Sequence, residues 1–270
     1  MIRIKDQEFY RLTDYIKRNF GINLTKKRTL IEGRLNNYLL SNGYTGYTEY
    51  LEELFRDQSG KEVDRIINYL TTNYSYFMRE WDHFEFYKTT ILPQLRANLH
   101  ARDIRVWSAG CSTGEEAYTL AMLNDEFFGD ERALWDKRIL ATDISEKVLN
   151  QARQGIYTDE SLKKVPKMWK FNYFTRLKDD RWQTKERLKK EVIFRRFNLM
   201  DAHFPFKKKF HVIFCRNVMI YFDQETKRHL IRKFYDMMET GGYLIIGQSE
   251  SIDRAATGYQ YVMPSVHRKV

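Results

Sequence analysis

Two cysteines, Cys111 and Cys215, stand in 270 residues, and neither has a partner at metal-ligand spacing. That arithmetic argues against a disulfide scaffold and against a zinc site, and both thiols are read as reduced. Long apolar runs are missing as well. Stretches such as Val212 to Phe214 and Tyr243 to Ile246 fall far short of the roughly 20 residues that a bilayer span requires, so no membrane insertion is expected. The opening MIRIKDQEFYRL carries charges inside every candidate apolar core, which makes it neither a secretory signal nor a transit peptide. A cytoplasmic location is expected. No internal repeat, low-complexity tract or metal-ligand cluster is visible.

What is present suits packed cores: 43% of residues are hydrophobic and 15% aromatic, enough for one large domain or two modest ones. The net charge of +10 favours an anionic partner without choosing between nucleic acid, lipid and an acidic protein face. Most of the excess lies in residues 155–210, which hold 16 Lys and Arg against 7 Asp and Glu. A solvated basic surface is the plain alternative.

Apolar residues recur at helical spacing from Phe9 to about Leu70, as in Phe9, Leu12, Ile16 and Phe20, with breaks at Gly21, Gly43, Gly46 and Gly60. A bundle of three or four short helices is predicted over residues 1–72. A linker of loop and helix follows over 73–100, its helix spanning about Trp81 to Ala97, with Pro93 expected to kink or end it. Beyond Ile104 the texture becomes strand, helix, strand: IRVWSAG, EEAYTLAMLNDEFF, RILATDI and SEKVLNQARQGIY, the last with Ser145 as its cap. Further strands are read in VIFRRFNL, FHVIFCRN and GYLIIGQS, with a helix in DQETKRHLIRKFYDMM. This alternation predicts an α/β fold with a parallel, doubly wound sheet over residues 101–270. The basic, aromatic stretch from Tyr157 to Lys190 has no clean period and reads as an insertion of about 157–192.

The sharpest local feature is AGCSTGEE, Ala109 to Glu116, where a first strand turns into a helix. Gly110 and Gly114 permit a tight turn, and the amides of the helix start are expected to favour an anion. The spacing is neither the dinucleotide fingerprint nor a Walker loop. A plain reading also exists: Thr113 and Glu116 have the spacing of a capping box. Asp143 ends the second strand, where an acid can accept hydrogen bonds from both ribose hydroxyls of an adenosine-bearing cofactor; a helix cap is the alternative. Asn198 ends the third strand and is placed either for an adenine edge or for a turn. TTNYSYFMRE, Thr71 to Glu80, reads as a polar loop feeding the linker helix. In FCRNVMIYF, Phe214 to Phe222, a buried strand runs on past Arg216 and Asn217, so that Tyr221 borders a cleft or packs in the core. The candidates fall on carboxyl ends of predicted parallel strands, where open sheets bind ligands.

Taken in order, TTNYSYFMRE, VWSAGCSTGEEAYTLAM, LATDISEKVLNQARQGIY, FNLMD and FCRNVMIYFD resemble the motif series of the chemotaxis receptor methyltransferases (CheR), and the resemblance runs through almost the whole chain. It implies a Rossmann-like S-adenosylmethionine methyltransferase domain with an N-terminal all-α domain and a small inserted β-subdomain. It further implies methyl transfer from S-adenosylmethionine to glutamate side chains of chemotaxis receptors, leaving S-adenosylhomocysteine, with no metal. By motif, Asn73, Ser75 and Arg79 resemble the family's cofactor-contacting loop, with Arg79 nearest the reacting methyl. Glu116, or else Glu115, corresponds to the ligand of the methionine ammonium, and Asp143 to that of the ribose. Asn198 and Leu199 would frame the adenine, Gly110, Arg216 and Asn217 belong to the cofactor pocket, and Tyr221 resembles the tyrosine that faces the substrate carboxylate. Ser75, Met78, Gly110 and Ala117 stand where Thr, Phe, Ala and Pro are commoner.

A carboxylate is ionised near neutral pH, so methylating it requires no general base, which agrees with the missing acid–base pair. The acid-bearing receptor helices call for a basic docking face, and Lys26, Lys27, Arg28 and Arg34 on or beside one predicted helix are the candidates; a solvated helix face is the alternative. The inserted subdomain is a candidate for binding a C-terminal receptor tail by β-augmentation. A monomer is expected. A nucleic-acid methyltransferase would need an Asp/Asn-Pro-Pro-aromatic loop or a Pro-Cys pair, and the chain instead reads Cys215, Arg216, Asn217, so no nucleic-acid partner is expected. A cofactor-binding sensor without turnover is the remaining alternative, opposed by the presence of both Arg79 and Tyr221.

Overall fold

A computed structural model describes residues 2–71, 73–253 and 257–270. Four helices come first: α1 (Asp6–Phe20), α2 (Arg28–Ser41), α3 (Tyr47–Arg56) and α4 (Lys61–Leu70). Each is amphipathic by position, burying residues such as Phe9, Leu12 and Ile16 of α1 against Ile31, Leu35, Leu51 and Ile66 of its neighbours. Gly21 stops α1 in the left-handed region at φ 72°, and its N–H caps the Lys17 carbonyl.

The linker helix runs as α5 (Trp81–Phe86), a π-turn at Tyr87–Ile91, and α6 (Leu92–Asn98). Pro93 therefore neither ends nor breaks it. The turn before the proline is widened, with the Leu92 N–H reaching back to the Tyr87 carbonyl, and this register relieves the clash that a proline ring imposes on a regular helix.

The remaining elements are β1 (Val106–Ala109), α7 (Glu115–Phe128), β2 (Ile139–Asp143), α8 (Glu146–Gln154), β3 (Ile156–Tyr157), α9 (Lys167–Tyr173), β4 (Phe174–Arg176), β5 (Trp182–Thr184), α10 (Glu186–Lys189), β6 (Val192–Arg196), β7 (Phe210–Cys215), α11 (Gln224–Asp236), β8 (Met238–Ile246), β9 (Tyr259–Met263) and β10 (Val266–Lys269). Seven strands form one sheet in the order β6-β2-β1-β7-β8-β10-β9, parallel from β6 to β8 and antiparallel at β10 and β9. The final hairpin β9–β10 lies beyond the strands read from sequence. The exposed run along β9 shows no alternation to betray it. A second, three-stranded antiparallel sheet, β3-β5-β4, lies between α8 and β6.

Side-chain alternation along the central strands divides the core in two. Val106, Val212, Phe214 and Ile245 pack with α7, the linker helix and the small sheet. Trp107, Ala109, Ile213, Cys215 and Leu244 pack on the other face, in one continuous core with α11 and the N-terminal helices. Covering both faces explains why β7 reads as an unbroken apolar run and is buried throughout. The N-terminal helices are also tied to the sheet's carboxyl rim. Lys17 pairs with Asp223 at 2.7 Å, Asp64 pairs with Arg196, and Ile22 forms a β-bridge with Phe222.

Candidate active site

Strand ends and loops converge on one cleft at that rim. Its walls come from Phe20 and Ile22 after α1, the Asn73–Arg79 loop, the β1–α7 turn, Glu116, the ends of β2, β6 and β7, and Tyr221 with Phe222. The candidates Asn73, Ser75, Arg79, Gly110, Glu116, Asp143, Asn198, Leu199, Arg216, Asn217 and Tyr221 all line it.

Four amides of the β1–α7 turn are engaged within the chain: Gly110 and Cys111 donate to the Thr142 carbonyl, Gly114 to that of Cys111, and Ser112 to Asp143 Oδ2 at 2.9 Å. The anion at this turn is the chain's own Asp143. Its other oxygen accepts the Ser145 N–H at 3.0 Å, and the Ile144 N–H is a third backbone donor, which leaves room on the carboxylate's roughly four lone-pair sites for one donor more. Burial pushes the Asp143 carboxyl up, and these backbone donors pull it down in part. Asp143 is not the cap of α8; Ser145 is, accepting from the Val148 N–H.

The capping box at Thr113 and Glu116 does not form either. α7 starts from Gly114 in the left-handed region, and the Thr113 hydroxyl instead donates to Glu115 at 2.7–2.8 Å. Glu115 is buried beside that hydroxyl and also accepts from Ser75 of the cleft wall, whereas Glu116 lines the cleft itself. Glu116 accepts from Ser108 Oγ at 2.7 Å and Arg216 Nη1 at 3.3 Å. Burial pushes its carboxyl up, and Arg216 opposes that.

Asn198 reaches the cleft wall with its side chain already engaged. Nδ2 donates to the Asn19 carbonyl at 2.7 Å and Oδ1 accepts the Met200 N–H at 3.0 Å, so its amide serves a turn and the domain junction. The neighbouring wall is apolar, formed by Ile144, Phe197, Leu199, Phe222, Phe20 and Ile22. Phe20 and Ile22 escaped sequence reasoning because nothing in a helix terminus 120 residues upstream announces that it roofs a strand end. At the mouth, Arg79 donates to the Tyr74 carbonyl at 3.1 Å, while the Asn23 N–H holds the Tyr221 carbonyl at 2.8 Å. Glu250 also went unnoticed. Buried behind the β7 end, it accepts from the N–H groups of Gly247, Asn217 and Ile220 and so shapes the turn that presents Tyr221.

The four basic candidates lie away from the cleft. Lys26 and Lys27 are exposed and precede α2, whereas Arg28 pairs with Asp6 and Arg34 donates to the carbonyls of Tyr69 and Thr71, tying α2 to its neighbours. Among the described residues no group of three or more His, Cys, Asp and Glu is placed to hold a metal ion. No described helix is long and apolar enough to cross a membrane.

Comparison with known proteins matches residues 7–71 to "CheR methyltransferase, all-alpha domain" and residues 73–268 to "CheR methyltransferase, SAM binding domain". The chain belongs to the CheR methyltransferase family. It is 45% identical to a chemotaxis protein methyltransferase of Borreliella burgdorferi, over 99% of this chain and 96% of the relative. It is 35% identical to a probable chemotaxis protein methyltransferase of Rhizobium etli, over 90% and 95%. A chemotaxis protein methyltransferase of Escherichia coli is likewise 35% identical, over 93% and 86%. As a CheR-family enzyme the protein is an S-adenosylmethionine-dependent methyltransferase of chemotaxis. The cleft has acceptors such a molecule needs, the carboxylates of Asp143 and Glu116, and apolar lining from Phe20, Ile22, Phe197 and Leu199.

Proposed function

We propose that this CheR-family enzyme methylates glutamate side-chain carboxylates on the helical methylation regions of chemotaxis receptors, producing methyl esters. The observation that carries the reading is the arrangement of one cleft. Two acidic acceptors, Asp143 and Glu116, line it together with Arg79 and Tyr221. When bound, S-adenosylmethionine supplies a methyl made electrophilic by its positive sulfur. Asp143 accepts the ribose hydroxyls, Glu116 pairs with the ammonium, and Phe197, Leu199 and Phe222 flank the adenine. Asn73, Ser75, Gly110, Asn198, Arg216 and Asn217 complete the cofactor's surroundings.

Arg79 and Tyr221 orient the incoming carboxylate, which is ionised near neutral pH and needs no base. Their grip has to be moderate, because an interaction equally strong in the ground state lowers nucleophilicity without lowering the barrier. The remaining acceleration comes from holding nucleophile and methyl in line, for which effective molarities of roughly 10⁵ M are available. Lys26 and Lys27, exposed beside α2, meet the acidic receptor helix, with Arg28 and Arg34 at the edge of that patch. Strands β3 and β4, at the edges of the small sheet, offer a place for a receptor tail. The enzyme works in the cytoplasm as a monomer, without a metal.

Incubation with labelled S-adenosylmethionine and receptor-containing membranes is expected to place label on receptor as a base-labile ester. Asp143→Ala in the same assay should bind cofactor more than tenfold more weakly, a loss above about 1.4 kcal/mol. Label in nucleic acid, or cofactor binding with no transfer to any of the organism's receptors, would overturn the proposal.

A further inference from the structure

Behind the cleft, Glu80 occupies a position that neither lines the site nor belongs to the ordinary exposed surface. It holds the left-handed conformation at φ 55°, and its carboxylate accepts from Arg216 Nη2 at 3.2 Å, Asn217 Nδ2 at 3.2 Å and the Gln248 N–H at 3.1 Å. Arg216 is buried over the Phe84 ring, and the same guanidinium also meets Glu116 and the Arg79 carbonyl. One buried cation thus serves two carboxylates, Glu80 behind it and Glu116 on the cleft side. The other basic groups nearby do not even this balance. His83, with Nδ1 3.5 Å from Glu80, is buried and neutral, its pKa lowered to about 4 by burial and then by Arg216. Arg79 Nε lies 3.9 Å from Glu80 Oε1 and its charge reaches Glu116 as well, but its side chain is 30% exposed, so solvent screens it far more than the buried Arg216.

We propose that Glu80 is a positioning residue that sets the charge of the cofactor site: by drawing on Arg216 from behind, it leaves the Glu116 carboxylate incompletely neutralised and so suits the cleft to a ligand of net positive charge. This rests on the assignment of Glu116 and Arg216 to the cofactor. S-adenosylmethionine carries a sulfonium, an ammonium and a carboxylate, whereas S-adenosylhomocysteine lacks the sulfonium and 5′-methylthioadenosine lacks the amino-acid portion. Without Glu80, Arg216 neutralises Glu116 more fully, and the penalty falls on the ligand's cationic groups: the sulfonium and ammonium of S-adenosylmethionine, the ammonium alone of S-adenosylhomocysteine, and neither in 5′-methylthioadenosine.

Calorimetric titration of the full-length protein with these three compounds tests the idea. Glu80→Gln is expected to weaken S-adenosylmethionine roughly tenfold and S-adenosylhomocysteine roughly threefold, while leaving 5′-methylthioadenosine within about twofold. Glu80→Asp, which keeps the charge, should restore the wild-type ratio between the first two. Should the glutamine variant not fold, Glu80→Ala, in whose space water can reach Asn217 and Gln248, carries the same comparison. Equal weakening of all three compounds, or none, overturns the proposal, since a purely structural role cannot distinguish ligands by charge. Wild-type protein that binds none of them overturns the cofactor assignment, and this inference with it.

Discussion

Arg216→Met is expected to lower the free energy of unfolding by about 3–5 kcal/mol at neutral pH and to abolish methyl transfer. Arg216 is 6% exposed and joins Glu80, Glu116 and the Arg79 carbonyl, so the methionine fills its volume but strands two carboxylates in a low-dielectric site. The sign of the pH dependence follows. In the native protein burial raises the Glu80 carboxyl, and Arg216, with the Asn217 and Gln248 donors, more than offsets this, leaving Glu80 below the usual range. Once the guanidinium is gone, burial dominates: the folded-state pKa of Glu80 rises above its unfolded value, and that of Glu116, already raised, rises further. A group raised in the folded state favours folding below its unfolded pKa and opposes it as pH climbs through the folded one. The deficit is therefore larger at pH 7 than at pH 5, a trend that urea titrations at the two values would detect. A deficit independent of pH would contradict the charge argument.

Gly114→Ala is expected to cost about 2–4 kcal/mol through backbone strain and overpacking together. Gly114 has φ 95°, and an added Cβ would lie 2.9 Å from the Ala152 Cβ and 3.2 Å from both Phe194 Cζ and the Tyr157 hydroxyl oxygen. None of these neighbours is a free side-chain end. Tyr157 is held at its hydroxyl by the Thr113 carbonyl at 2.7 Å, and Ala152 lies inside α8. Because the same turn offers the Ser112 N–H to Asp143, displacing it should weaken cofactor binding along with stability. Gly33→Ala is the control. Gly33 lies in α2 with nothing within 4 Å of its added Cβ, so the change should stabilise by about 0.5–1 kcal/mol. Thermal unfolding of the two variants beside the parent separates the cases.

Outside the insertion at 157–192, the order of strands and helices from Val106 to Ile246 was legible because the helices carry periodic apolar faces and the central strands are short apolar runs, both local properties. The same holds for the placing of Asp143, Arg216 and Tyr221 at strand ends and their turns. What sequence could not show depends on contacts distant along the chain. Ser112 and Asp143 are 31 residues apart, and their hydrogen bond fixes the Asp143 carboxylate at the turn. Asn198 lines the cleft but also donates to the Asn19 carbonyl, 179 residues away, a contact no local pattern announces. Arg28 and Arg34 carry the charge of a docking face, yet Asp6 and the Tyr69 and Thr71 carbonyls engage them, a difference of geometry rather than composition. Glu80 ends the TTNYSYFMRE segment without standing out, for the donors to its carboxylate, Arg216, Asn217 and Gln248, lie more than a hundred residues away.

A crystal grown with S-adenosylhomocysteine puts the account to its most direct test, since all of it depends on both halves of the chain enclosing one adenosyl-binding cleft. The predicted density has ribose hydroxyls on the Asp143 carboxylate, the amino group at Glu116, and the adenine against Phe197, Leu199 and Phe222, roofed by Phe20 and Ile22. Ligand bound elsewhere, or a cleft left empty at saturating concentration, would contradict it.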